Sequence, residues 1–248
     1  TLMRGYWDER QAWMDGLMRM ADARGDKQVL AQAMFYQGQT LMHIDETDGE
    51  GRAFQLFEDS LSEPSQGDTS IRFGAITYIA ALHLKRNQFD TATDLLSRHR
   101  YSLADSPTDE KQQKCIYYYY LGEIALRQER YQAAEDSYRN SLELAKALKW
   151  KKMIAYIKAW LAATLMEKEE FSEADELIKF SLEAAKHYRD KRSVAKCCYV
   201  LASLAKRCGK IDEFQHWAVL ANAEFEKLGM AAMANQIKQW TDEIRANA

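Results

Sequence analysis

Apolar residues return at three- and four-residue steps through IRFGAITYIAALHLKR (71–86), CIYYYYLGEIALRQ (115–128), MIAYIKAWLAATLMEK (153–168) and SVAKCCYVLASLAKRC (193–208), which is the period of a helix. A second amphipathic stretch follows each of them after a short polar break: NQFDTATDLLSRH (87–99), ERYQAAEDSYRNSLELA (129–145), EEFSEADELIKFSLEAA (169–185) and GKIDEFQHWAVLANAEF (209–225). Aligned on one another, these second stretches place Phe89, Tyr131, Phe171 and Ile211 in one slot, at steps of 42, 40 and 40 residues. Small residues recur three positions on, at Ala92, Ala134 and Ala174, with Phe214 as the exception. A second small slot holds Ser141, Ser181 and Ala221. The unit is helix, tight turn, helix, repeated about every forty residues. The small residues predict close approach: where Gly122 faces Ala134, two backbones pack with no side chain between them, and a Leu in either place would push the helices apart.

These offsets resemble the tetratricopeptide repeat, in which a large residue, Leu-Gly, an aromatic, Ala, an aromatic and Ala stand at fixed spacing. Tyr118, Leu121, Gly122, Ala125, Tyr131, Ala134, Tyr138 and Ser141 occupy those offsets without a gap. Another unit has Gly38 and Leu41, an insertion DETDGEG (45–51), then Ala53, Phe57 and Ser60. Two more carry Leu161, Ala162, Leu165, Phe171, Ala174 and Ser181, and Leu201, Ala202, Ala205, Ile211 and Ala221. The period near forty exceeds the usual ~34, the Pro that often ends the second helix is missing, and Phe214 stands where a small residue is expected. The resemblance implies an all-α fold, a right-handed superhelical solenoid of antiparallel helix pairs forming a single array over 1–248. Its parts would be the second helix of a truncated repeat at 6–24, repeats at 28–63, 70–101, 110–148, 151–188 and 191–227, and a capping helix at 230–246. The first residue is Thr, and residues 6–23 read as a second helix whose partner is missing, so the sequence is expected to be an excised piece of a longer protein.

Four consecutive tyrosines, Tyr117 to Tyr120, then divide by helical phase, since neighbours differ by about 100°. Tyr118 is expected within the helix pair and Tyr117 against the preceding unit. Tyr119 and Tyr120 fall on the side that lines the concave surface. The residues equivalent to Tyr120 are Tyr36, Tyr78, Trp160 and Val200, and those equivalent to Tyr119 are Phe35, Thr77, Ala159 and Tyr199. Aromatics thus recur about once per repeat along the inner wall. Gln39, His43, Lys85, Glu123, Arg127, Glu167, Lys196, Ser203 and Arg207 lie further along the same faces. Rigid rings rimmed by mixed charge suit a protein or peptide ligand. The competing reading is that rings at repeat spacing only fill the space between neighbouring first helices.

Composition narrows the function class. Lys and Arg total 34 against 37 Asp and Glu, for a net charge of −3, so the electrostatic footprint of a nucleic-acid binder is lacking. No apolar run reaches the roughly 18–20 residues of a membrane span. Cys115, Cys197, Cys198 and Cys208 sit in apolar helical patterns, which predicts buried thiols in a reducing cytoplasm. With only two Pro in the chain, long helices are permitted almost everywhere. No phosphate loop, dinucleotide fingerprint or zinc-protease motif occurs, and the five His show no metal-ligand spacing. ETDGEG (46–51) opens like a calcium loop but has Phe57 where the closing Glu belongs. Neither an enzyme nor a cofactor is expected.

RGYWDERQAWMDGLMRMADARGD (4–26) and FEKLGMAAMANQI (225–237) resemble repeat arrays attached to bacterial signal-transduction ATPases of the NB-ARC/STAND type, including regulators related to the maltose-regulon activator. That resemblance implies a sensor or partner-binding array with no nucleotide site of its own. Two alternatives stay open. One is a self-association module, dimerising through an exposed array end around Tyr6, Trp7 and Trp13; the other is a peptide-pheromone receptor array.

Overall fold

The computed structural model describes residues 2–42, 49–62, 69–98, 111–228 and 230–246, and these form twelve α-helices and no strand. In chain order they are α1 (Leu2–Ala23), α2 (Lys27–Met42), α3 (Gly49–Ser62), α4 (Thr69–Lys85), α5 (Phe89–Arg98), α6 (Lys111–Arg127), α7 (Tyr131–Ala147), α8 (Lys151–Glu167), α9 (Phe171–His187), α10 (Lys191–Arg207), α11 (Ile211–Lys227) and α12 (Ala231–Ala246). His43, the first half of the acidic calcium-like turn (46–48) and the break at 102–109 lie outside the described residues. The chain divides into two units, residues 1–124 and 125–248, with the boundary inside α6.

The connections share one device. The last turn of α4, α6, α7, α8, α9 and α10 closes through an amide three residues past the helix end that donates to a carbonyl five residues back: Gln88 to His83, Arg130 to Ala125, Trp150 to Ala145, Glu170 to Leu165, Asp190 to Ala185 and Lys210 to Ala205, all at 2.9–3.0 Å. The residue between sits in the left-handed region. It is Gly at positions 25 and 209, but Asn87, Glu129, Lys149, Glu169 and Arg189 hold φ between 52° and 64°. This is the Schellman stop, and it reverses the chain within three residues. Helices joined so tightly have no choice but to pack on their sequence neighbours.

In the first unit α1 packs on α2, α2 on α3, α3 on α4 and α4 on α5, while α2 also touches α4. Its core has two patches, one around Phe35, Phe57, Ile79 and Leu82, the other around Phe73, Leu84, Leu96, Tyr117 and Ile124. Close approach takes a form the repeat pattern did not suggest. Gly38 does not meet a bare backbone; the ring of Phe57 lies on it, so that a Cβ there would stand 2.7 Å from Cε1. Gly74 seats the ring of Phe35 in the same way, with Cζ 2.7 Å from the missing Cβ. Glycine in these helices is a notch for a neighbour's aromatic ring.

The second unit stacks α7, α8, α9, α10, α11 and α12 each on the next, with α8 also touching α10. Tyr138, Ile157, Leu161, Leu165, Phe214 and Phe225 are fully buried in it. The small slots are buried too: Ala134 and Ala174 are 0% exposed, and the Ser181 hydroxyl donates to the Ala155 carbonyl of α8 at 2.9 Å. Phe214 fills its slot with a ring that is 1% exposed. A charged knot joins α7, α9 and the turn after α8. Glu135, its side chain 9% exposed, accepts from Lys168 at 2.5 Å and Arg139 at 2.7 Å, and Arg139 forks onto Glu173 at 3.0 and 3.1 Å. Cys115, Cys197 and Cys198 are buried, and burial pushes the Cys197 and Cys198 thiols up to about 12 and about 11. Cys208 is exposed instead, because it caps α10 immediately before the left-handed Gly209 and turns out of the helical pattern.

Candidate functional site

The first unit carries a row of rings on the helices that begin its pairs. Tyr78 of α4 lies flat on Phe57, with centroids 5.4 Å apart and planes 7° apart, and is 6.0 Å from Phe35. Tyr120 of α6 meets Tyr78 edge-on at 6.3 Å, and Tyr119 meets Tyr120 edge-on at 5.1 Å. Tyr36 of α2 stands 44% exposed beside Phe35, at 5.3 Å. Tyr78, Tyr119 and Tyr120 are half-buried. Tyr36 and Tyr78 rest on rings fully buried over the glycine notches, Phe35 and Phe57, and Tyr120 and Tyr119 continue the row from Tyr78.

Burial also sets the chemistry of these hydroxyls. It pushes Tyr78 up to about 12 against a hydrogen bond with the Gln39 side chain. Tyr120 is raised well above the ordinary phenol value, first by burial and then by Tyr78 and Glu123. Both phenols therefore stay protonated and neutral across the physiological range. What these two residues leave toward solvent is ring surface, their hydroxyls being the buried end.

Two of the wall residues expected in this unit need correction or qualification. Phe35 is not on the wall: it is 0% exposed and packed against Phe57 and over Gly74, because the face one residue before Tyr36 turns inward. Lys85 is exposed but paired with Glu50 at 2.9 Å. Tyr117, the first of the tyrosine run, is core: it is 3% exposed, 5.4 Å from Phe73, and donates its hydroxyl to the Leu96 carbonyl at 3.3 Å. Tyr118 packs half-buried against the same cluster.

The expected residues of the second unit do not form a comparable row. Trp160 and Ser203 are half-buried, and Arg127 and Lys196 are exposed. Tyr199 is covered by the closing helix, where Trp240 stacks on it at 4.9 Å and 30°. Glu167 and Arg207 do come together at 3.1 Å, with the guanidinium also 5.8 Å over the ring of Phe171. Neither the notched glycine beneath Phe35 nor the Trp240 cover was expected from spacing. An aromatic at each position is visible in sequence, but what lies on it is not.

Among the described residues no cluster of three or more His, Cys, Asp or Glu could hold a metal ion, and no helix is long and apolar enough to cross a membrane. No family model and no curated protein matches the chain. Solved structures do. BtubC (BKLC) from P. vanneervenii shares 17% identity, covering 81% of this chain and 89% of that one, with a TM-score of 0.55. Aspartyl phosphate phosphatase F from Bacillus subtilis shares 12%, covering 91% and 59%, at 0.61. The apo form of the quorum sensor NprR from B. thuringiensis shares 18%, covering 98% and 73%, at 0.59. With the twelve helices, these likenesses place the fold among helical repeat proteins of the tetratricopeptide type.

Proposed function

We propose that the chain is a non-catalytic scaffold whose first unit binds a segment of a partner protein or a peptide across the row formed by Tyr36, Tyr78, Tyr119 and Tyr120. The observation that carries this reading is the ladder itself, in which part-exposed rings rest on fully buried ones directly, as Tyr36 and Tyr78 do, or through Tyr78. Rigid aromatic plates give contact area with little entropy left to lose. Selection from a random-peptide display library against the intact chain is the direct test. The expected result is an enriched sequence whose binding falls about thirtyfold in a Tyr36→Ala, Tyr119→Ala variant, the loss of one hot spot of roughly 2 kcal/mol. Both side chains are off the core centre, so the variant keeps its helical circular dichroism. No enrichment, or unchanged binding by that variant, would sink the reading.

The finer reading, a sensor array of a larger bacterial signalling ATPase, is supported by the stretches 4–26 and 225–237. Switching a two-state partner from 1:99 to 99:1 takes about 5.5 kcal/mol of differential binding, while one ring contact gives about 0.5–1.5 kcal/mol. Such a sensor would need several rings engaged together, so in the longer protein the two-tyrosine variant should blunt, and not abolish, ligand-dependent ATP hydrolysis; an undiminished response would argue against it.

A specific feature also favours association of the array end with a second copy. On α1, Trp13, Leu17 and Met20 are 79%, 39% and 54% exposed at helical spacing, an apolar stripe without cover among the described residues. Light scattering on the chain should show a dimer that Trp13→Asp returns to monomer. A monomeric wild type removes this reading and leaves the peptide-binding one standing.

A further inference from the structure

Between α9 and α11, with α10 as its floor, the second unit holds a cavity of about 280 Å³ lined by Phe171, Trp217, Asp175, Glu176, Glu213 and Cys208, together with Lys210 and aliphatic side chains of α10. That volume falls below the ~300–1,000 Å³ of sites for drug-sized ligands and leaves room for one long side chain. Three carboxylates line it with one ammonium, and the Arg207 guanidinium stands over the Phe171 ring. Asp175 is paired with Lys179 at 2.6 Å and Glu213 with Lys210 at 3.3 Å, whereas Glu176 has no ion pair among the described residues.

The rings add the second half of the argument. Elsewhere in the chain aromatic faces are capped by the protein's own cations, Arg86 over Phe54, Lys158 over Phe180 and Lys206 over Trp240, and at the cavity itself Arg207 stands 5.8 Å over Phe171. Trp217, the largest ring of the cavity, carries no such cation among the described residues. An aromatic plate beside the uncompensated carboxylate of Glu176 attracts a cation, and a planar guanidinium satisfies both, stacking on indole while forking onto a carboxylate. The geometry points to a second binding site, distinct from the tyrosine row of the first unit, that takes an arginine side chain of a partner protein, stacked on Trp217 and held by Glu176 and Glu213.

Cys208 makes the site directly readable. It lines the cavity and is exposed, while Cys115, Cys197 and Cys198 are buried. Iodoacetamide alkylation of the whole chain, followed by mass spectrometry, therefore reports occupancy at this one place. The tripeptide acetyl-Gly-Arg-Gly-amide should slow alkylation of Cys208 several-fold at saturation, and its citrulline counterpart, equal in shape but neutral, should not. In a Glu176→Gln, Glu213→Gln variant the same protection should require about tenfold more peptide, as expected for one lost charge-assisted hydrogen bond. Both side chains are exposed, so the variant folds. Equal protection by the citrulline peptide, no protection by either, or protection by spermidine alone would overturn the proposal, the last in favour of a free polyamine.

Discussion

Gly38→Ala is expected to destabilise the first unit, although replacing glycine by alanine inside a helix ordinarily stabilises it by about 1 kcal/mol. The reason is the ring of Phe57. An alanine Cβ would stand 2.7, 2.9 and 3.0 Å from its Cε1, Cζ and Cδ1, and the ring has nowhere to go, being 0% exposed and stacked on Tyr78 from the other side. Overpacking of this kind costs about 1–3 kcal/mol, which outweighs the helix-propensity gain. A second substitution separates the two effects. In a Phe57→Leu background the atoms at 2.7 and 2.9 Å are gone, so Gly38→Ala should there become neutral or stabilising. Urea melts of the four proteins in this cycle read the sign directly. A stabilising Gly38→Ala in the wild-type background would mean the notch is not tight. The consequence reaches the proposed binding face, because Phe57 is the plate on which Tyr78 lies; in the single variant, the near-ultraviolet circular dichroism of the tyrosines should change along with stability.

Much of this fold is legible in the sequence, for a local reason. Phe89, Tyr131, Phe171 and Ile211, which share one slot in the alignment, are the first residues of α5, α7, α9 and α11. A forty-residue period in apolar spacing survives because each helix packs on its sequence neighbour, so local pattern and tertiary contact coincide. The turns are less legible. Left-handed positions usually announce themselves as Gly, yet here Glu129, Lys149, Glu169 and Arg189 adopt that conformation, and no residue type marks them. The site was legible only to within one helical step. Phe35 and Tyr36 are both aromatic and differ by about 100°, and only packing on Gly74 shows which one is core. Tyr199 falls outside any pattern argument because its cover, Trp240, comes from the closing helix. The cavity around Trp217 draws its walls from residues 171 to 217 on three helices, and no short spacing encodes it.

The largest loss of stability is expected from a pair of substitutions around Glu135. Removing either cation alone leaves this carboxylate a partner: without Lys168 it keeps Arg139, and without Arg139 it keeps Lys168. Removing both, as Lys168→Met with Arg139→Met, preserves the aliphatic stems but strands a carboxylate whose side chain is only 9% exposed. Breaking a buried pair so that one charge is left uncompensated costs about 3–5 kcal/mol. The cost here falls below that range, since Arg139 and Lys168 are 43% and 22% exposed and water screens both. The double variant should therefore lose more stability near neutral pH than the two single losses together.

Its pH dependence should also change sign. In the wild type, burial raises the Glu135 carboxyl, but the hydrogen bonds and charges of Lys168 and Arg139 outweigh it and hold the group below its ordinary value. Its stabilising contribution is thus fully present above the unfolded value of about 4.3 and fades as pH falls through the lower folded one. With both cations gone only burial remains, so the folded value rises above the unfolded one. The folded state then binds the extra proton, and part of the lost stability returns on acidification from pH ~7 toward ~5. Urea denaturation of both proteins across that window tests this. Parallel pH profiles would show that Glu135 reaches water in the variant and that the knot joining α7 and α9 is a surface ion pair, not a buried one.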